Sequence, residues 1–137
     1  MFRHFHLSNI KADFALWFVA FGSMLAAAEL AAQQTSIAEI RRDSPVSFEK
    51  EILPILQKNC LACHSASQAN GELILESPQA MLRGGETGAA IVAGNGAKSL
   101  LLALAAGQED PVMPPEDNKV SAQRLTSNEL GLIKLWI

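Results

Sequence analysis

The sequence predicts an all-α domain, on three observations. Apolar residues recur at helical spacing in several short stretches, serine or threonine stands in front of most of them, and long glycine- or proline-bearing loops separate them. Alternation of apolar and polar residues is nowhere long enough for more than a short extended piece. A chain of 137 residues suffices for one domain, and 49% hydrophobic with 18% charged residues is the composition of a folded protein rather than a disordered one.

The N-terminus opens with Arg3 and Lys11 among polar residues, continues through an apolar run from Phe14 to Ala28, and contains Ala26-Ala27-Ala28, the small-x-small pattern cut by export peptidases. This is the layout of a signal peptide over residues 1–28, with a second cutting point after Ala32. The run is fifteen residues long and includes Gly22, short of the ~20 that a helix needs to cross a bilayer. The expectation is therefore an exported, periplasmic or otherwise extracytoplasmic protein with no stable membrane span after cleavage. Removing Arg3, Lys11 and Asp13 leaves nine basic against thirteen acidic side chains, a formal charge of −4. No basic patch stands out, so nucleic acid is not an expected partner. Cleavage also removes His4 and His6 and leaves His64 as the sole histidine.

Residues 29–46 are polar with scattered small apolar residues and close on Ser44-Pro45, which reads as a flexible lead-in with a little helix. The domain proper spans residues 47–137. Phe48, Ile52, Ile55 and Leu56 share a helical face with Ser47 placed to cap it. Pro54 deletes a backbone bond and crowds the preceding turn, so a kink is expected there before a firmer helix that delivers Cys60 to His64 near its C-terminal end. Ser77, Pro78 and Gly84 bracket a helix of about two turns. Ser99 is placed to cap "LLLALAA", which Gly107 stops, and "GQEDPVMPPEDNK" holds three of the six prolines and reads as loop. Thr126 and Glu129 form a capping box for a last helix with Leu130, Ile133, Trp136 and Ile137 on one stripe. Helices this short bury limited apolar area, and long loops are uncommon in compact domains unless something holds them. Something besides side chains is expected to fill the middle.

The chain's two cysteines fall in "CLACH", residues 60–64. A structural zinc site takes four ligands, mostly Cys and His, and the mature chain offers only Cys60, Cys63 and His64. A thioredoxin-like dithiol sits at a helix N-terminus after a strand, whereas this pair falls at the far end of a helix. A plain local disulfide would close a very small loop and stabilise little. Cys-x-x-Cys-His is the signature of c-type haem attachment: two thiols a helical turn apart add across the porphyrin vinyl groups, and the neighbouring imidazole reaches the iron. Haem c also supplies a large flat apolar body for the short helices to pack around. With a single histidine, a bis-His pair is excluded, and methionine is the usual alternative, raising the reduction potential. Of Met81 and Met113, Met81 reads as a core side chain in a short helix, while the prolines of "VMPP" can hold the sulfur of Met113 in place.

These pieces together resemble class I cytochromes c in general and, more closely, the planctomycete-type cytochrome c domain. The likeness rests on Phe48, Ile52 to Leu56 and Cys60 to His64; on Gly71 to Gly85, Ala90 to Gly94 and Ser99 to Leu102; and on Met113 to Pro115, Leu125, Glu129, Trp136 and Ile137. It implies a cytochrome c-like mono-haem fold with covalently attached haem c and with His64 and Met113 on the iron. The function implied is one-electron transfer to redox protein partners the sequence does not name, with no enzyme activity of its own. The rival is a haem sensor or enzyme module with an open or displaceable sixth ligand, serving a larger catalytic domain outside this chain. "AGNGAKS" stands where the family usually has Pro-Gly-Asp-Pro, so a looser backbone is expected there. The family also usually continues past Trp136-Ile137 with an Asp-x-Gly-Ala turn and often much larger domains, which points to a piece of a longer protein.

Overall fold

Short helices with identifiable caps set the architecture. The structure, a computed structural model, describes residues 34–137; the signal peptide expected over residues 1–28 and the start of the lead-in lie outside the described residues. Among the described residues the elements are all helical, with a π-helical turn at Phe48–Ile52, α1 at Leu53–Asn59, α2 at Pro78–Arg83, α3 at Leu100–Ala105 and α4 at Ser127–Trp136. Two 3-10 turns, Asn70–Glu72 and Gly96–Lys98, punctuate the loops. The only bridge between extended residues there joins Gly85 and Gly88, so the domain is all-α. No helix among the described residues is long and apolar enough to cross a membrane.

The expected kink at Pro54 takes the form of a change in helix type. The Ile52 and Leu53 N–H groups reach back five residues, to Ser47 O and Phe48 O. Such a widened turn relieves the clash between the Pro54 ring and the carbonyl four residues behind it. The Ser47 hydroxyl caps this turn by accepting from the Lys50 N–H at 3.3 Å. α2 forms as the sequence predicts: Ser77 Oγ accepts from the Ala80 N–H, Pro78 takes the first helical position, and Gly84 leaves the helix at φ 76°. α4 carries its capping box, with the Thr126 hydroxyl accepting from the Glu129 N–H and the Glu129 carboxylate accepting from the Thr126 N–H.

Ser99 departs from expectation. It precedes α3 but makes no side-chain cap. Its buried hydroxyl instead donates to Asn95 O at 2.9 Å and accepts from the Val92 N–H at 3.0 Å, tying the loop before α3 to itself.

Residues 34–46 carry no helix. They run extended along the domain: the Thr35 N–H donates to Ala106 O at 2.8 Å and the Ala38 N–H to Ser127 O at 3.1 Å, while Ile37 packs on the core. Gly131, in the middle of α4, makes this crossing possible. A Cβ built there would lie 2.4 Å from Ala38 O. Ion pairs Lys134–Glu39 and Arg42–Glu51 flank the strap. The contacts of the domain therefore reach back beyond Ser47.

The core collects Ile52, Leu56, Leu75, Met81, Leu130 and Ile133, all fully buried. α4 packs against both the π-helical turn and α3. The Phe48 and Trp136 rings meet with centroids 5.2 Å apart, an aromatic contact of ordinary favourable geometry. This pairing closes the two ends of the domain over one side and leaves the end of α1 facing a hollow.

Candidate functional site

The Cys60–His64 turn grows directly out of α1. The Cys60 N–H still bonds Leu56 O at 2.8 Å, but at φ −130° the chain leaves the helix. The Cys60 carbonyl then accepts from both the Cys63 and His64 N–H groups, at 3.1 and 3.0 Å. Two further bonds hold the turn from outside: the Asn70 N–H donates to Cys63 O at 3.0 Å and the Leu75 N–H to His64 O at 2.8 Å. Four local backbone bonds thus fix the orientation of the five-residue motif.

His64 Nδ1 lies 3.1 Å from Asn70 O. A carbonyl oxygen can only accept, so Nδ1 carries the proton and donates, and Nε2 keeps its lone pair. A ring held by a backbone carbonyl on one nitrogen and free on the other is prepared to ligate a metal through the second. Positive φ at Gly71 (64°) turns the backbone immediately after Asn70, a conformation glycine adopts at little cost.

Cys60, Cys63, His64 and Met113 all line one cavity, together with Leu56, Leu75 and Leu104 among others. The hollow contains about 880 Å³ of non-atom space counted out to its open mouth, within the roughly 300–1,000 Å³ of sites that bury cofactors and drug-sized ligands. None of the residues lining it is charged. A large apolar ring system fits such a wall, which the two cysteines, the histidine and the methionine all line. The donor set and the cavity therefore suit haem.

The two methionines separate clearly. Met113 lies half-buried on the cavity wall, its N–H donating to Leu104 O at 3.0 Å. Met81 is fully buried in the core, where its carbonyl accepts from the Ala90 N–H, and it does not line the cavity.

Two observations bear on the other readings of the motif. Burial, and after it the neighbouring Cys63, pushes the Cys60 thiol up to about 12. An attacking thiol in a redox dithiol needs the opposite shift. Among the described residues no group of three or more His, Cys, Asp and Glu side chains is arranged to hold a metal ion.

Some contributors were invisible to sequence reasoning. Asn70 acts through its backbone carbonyl, which any residue supplies. Asn59 is buried beside Cys60 and accepts from the Gln123 N–H at 3.2 Å across a large sequence separation. Leu73 and Leu75 read as a short extended piece and turn out to line the cavity.

The profile of a family described as Planctomycete cytochrome C matches residues 60–117. That span begins at Cys60 and includes His64 and Met113. No curated protein and no solved structure matches the chain.

Proposed function

We propose that the chain is an exported single-electron carrier whose haem c is held by Cys60, Cys63, His64 and Met113; the Planctomycete cytochrome C profile over residues 60–117 supports a haem-binding electron-transfer domain. Haem c, when bound, supplies a one-electron ferrous/ferric couple. The observation that carries the reading is the convergence of these four side chains on one uncharged cavity, with the His64 ring already fixed by Asn70 O.

Each residue has a defined task. Cys60 and Cys63 anchor the group through thioethers, and the shared carbonyl of Cys60 keeps the second thiol and the imidazole in a fixed relation to the first. His64 offers Nε2 as the proximal ligand, and Asn70 O raises its basicity by accepting the Nδ1 proton. Met113 offers its thioether as the distal ligand, which favours the reduced state. Leu56, Leu75, Leu104 and Ile133 exclude water, so that the change of charge on the iron is felt in a low dielectric. Export is supported by the basic start, the apolar run from Phe14 to Ala28 and the Ala26-Ala27-Ala28 cutting pattern.

Carbon monoxide added to the ferrous protein tests the proposal. A firmly bound Met113 predicts slow and incomplete binding. Fast, complete binding would mark an open sixth position and a sensor or enzyme instead.

A further inference from the structure

Between α3 and α4 the chain passes through residues 106–126 without helix. A loop of this length in a compact domain needs something to hold it. Upstream of the ligand methionine, backbone bonds do so: the Met113 N–H donates to Leu104 O at 3.0 Å and the Gln108 N–H to Ala103 O at 2.9 Å. Downstream, the Asn118 N–H donates to Pro115 O at 3.3 Å, and the side chain of the same residue reinforces that turn. Asn118 Nδ2 donates to Pro115 O at 2.6 Å and to Ala122 O at 2.9 Å, while its Oδ1 accepts from the Ala122 N–H at 2.9 Å. Both donors and one acceptor site of the amide are thereby used on the backbone of the same loop.

Asn118 is half-buried and lines the cavity beside Pro114 and Pro115. Proline rings fix φ at two successive residues between Met113 and the clasped Pro115 carbonyl. Few torsions are left through which the methionine can move once that carbonyl is held. The far end of the loop is pinned as well, by the Gln123 N–H on buried Asn59, the residue directly before Cys60.

We propose that Asn118 is a positioning residue for Met113, clasping the loop so that the thioether stays on the cavity. It acts through the Pro115 backbone and does not itself touch the iron. The inference rests on the reading of Met113 as the distal ligand.

The test uses haem-loaded protein carrying Asn118→Ala, Asn118→Asp or Met113→Ala. Asn118→Asp keeps an acceptor for the Ala122 N–H and loses both donated bonds, so it is expected to behave like Asn118→Ala. Losing two hydrogen bonds shifts the loop toward open forms, and carbon monoxide association with the ferrous protein should rise about tenfold. The methionine-to-ferric-iron absorption band should weaken in parallel, with the far-ultraviolet circular dichroism unchanged. A lowered melting point with the band and the association rate unaltered would mean a merely structural role and overturn the proposal; Asn118→Asp decides the matter if Asn118→Ala does not fold. Met113→Ala separates the two levels. If it abolishes the band while both Asn118 variants keep it, only the positioning role falls; if the band survives Met113→Ala, the ligand assignment falls and the positioning role with it.

Discussion

The Cys60–His64 turn and the Met113 loop face the same cavity, yet they are held in opposite ways. The turn leaves a helix and is fixed by backbone bonds within a few residues of itself, with Asn70 and Leu75 closing it from the next loop. The methionine loop has backbone bonds to α3 from Met113 and Gln108, is clasped on itself around Asn118, and is joined through the Gln123 N–H to Asn59, far back along the chain. A turn built on local bonds forms once its own segment folds. The Met113 loop needs in addition a bond to a distant segment, which forms only when the domain closes, and it is the side on which such a site can loosen.

That contrast can be broken most severely by comparing the two proposed ligands directly. His64→Ala should abolish a stable six-coordinate haem, whereas Met113→Ala should keep the covalent group and lower the reduction potential by an amount on the order of 0.1–0.3 V, inside the ~0.8 V range over which axial ligands act. Potentiometry with optical detection checks both. Equal damage from the two substitutions would contradict the difference drawn between the sides.

Next in size is the support of the turn. Leu56 is fully buried beneath Cys60 and lines the cavity. Leu56→Ala should cost about 2–5 kcal/mol of stability, the usual range for a buried leucine, as read by denaturant unfolding of the haem-loaded protein. A loss below about 1 kcal/mol would mean that the turn stands without the core under it.

How much of this was legible in the sequence follows the same division. The Ser77-Pro78 start of α2 and the Thr126/Glu129 box of α4 are contiguous signals whose partners lie within one turn, and they form as read. Ser99 was read as a cap because it stands before an apolar run, but its hydroxyl finds Asn95 O and the Val92 N–H instead. Competition between neighbouring backbone groups is not visible in a spacing. The strap of residues 34–46 was equally hidden, since its partners Ala106 and Ser127 lie far along the chain. Asn118 sits in a proline-rich stretch that reads only as loop. Residues 29–137 offer one histidine and two methionines, and of the two it is Met113, the candidate the prolines single out, that lines the cavity.

Gly131 gives a smaller test, directed at the strap. In an isolated helix Gly→Ala stabilises by about 1 kcal/mol. Here the new methyl would meet Ala38 O at 2.4 Å, and overpacking of that kind costs about 1–3 kcal/mol. The sign should therefore reverse, with faster hydrogen exchange at the Thr35 and Ala38 amides while those of α4 stay protected. Unchanged exchange would mean that the strap does not depend on this close approach.

The smallest expected effect is electrostatic and lies on the surface. The Arg42 guanidinium, and after it the Ser47 N–H, hold the Glu51 carboxyl below its ordinary value. A carboxylate whose value is lowered on folding contributes stability above its unfolded value and loses it as pH falls through the folded one. Glu51→Gln should thus lower the melting point slightly at pH 7, and the gap should close in acid. A gap that persists at low pH would assign the effect to packing rather than charge.

The central claim is that haem, bonded through Cys60 and Cys63, occupies the cavity that this short chain closes around. The intact mass of protein matured in a host able to form such thioethers tests it most directly, with a pyridine haemochrome spectrum on the same sample. The account predicts the mass of the chain plus one haem, unchanged by acid–acetone extraction, and the spectrum of a haem bonded at both vinyl positions. A colourless protein with the mass of bare polypeptide would contradict it.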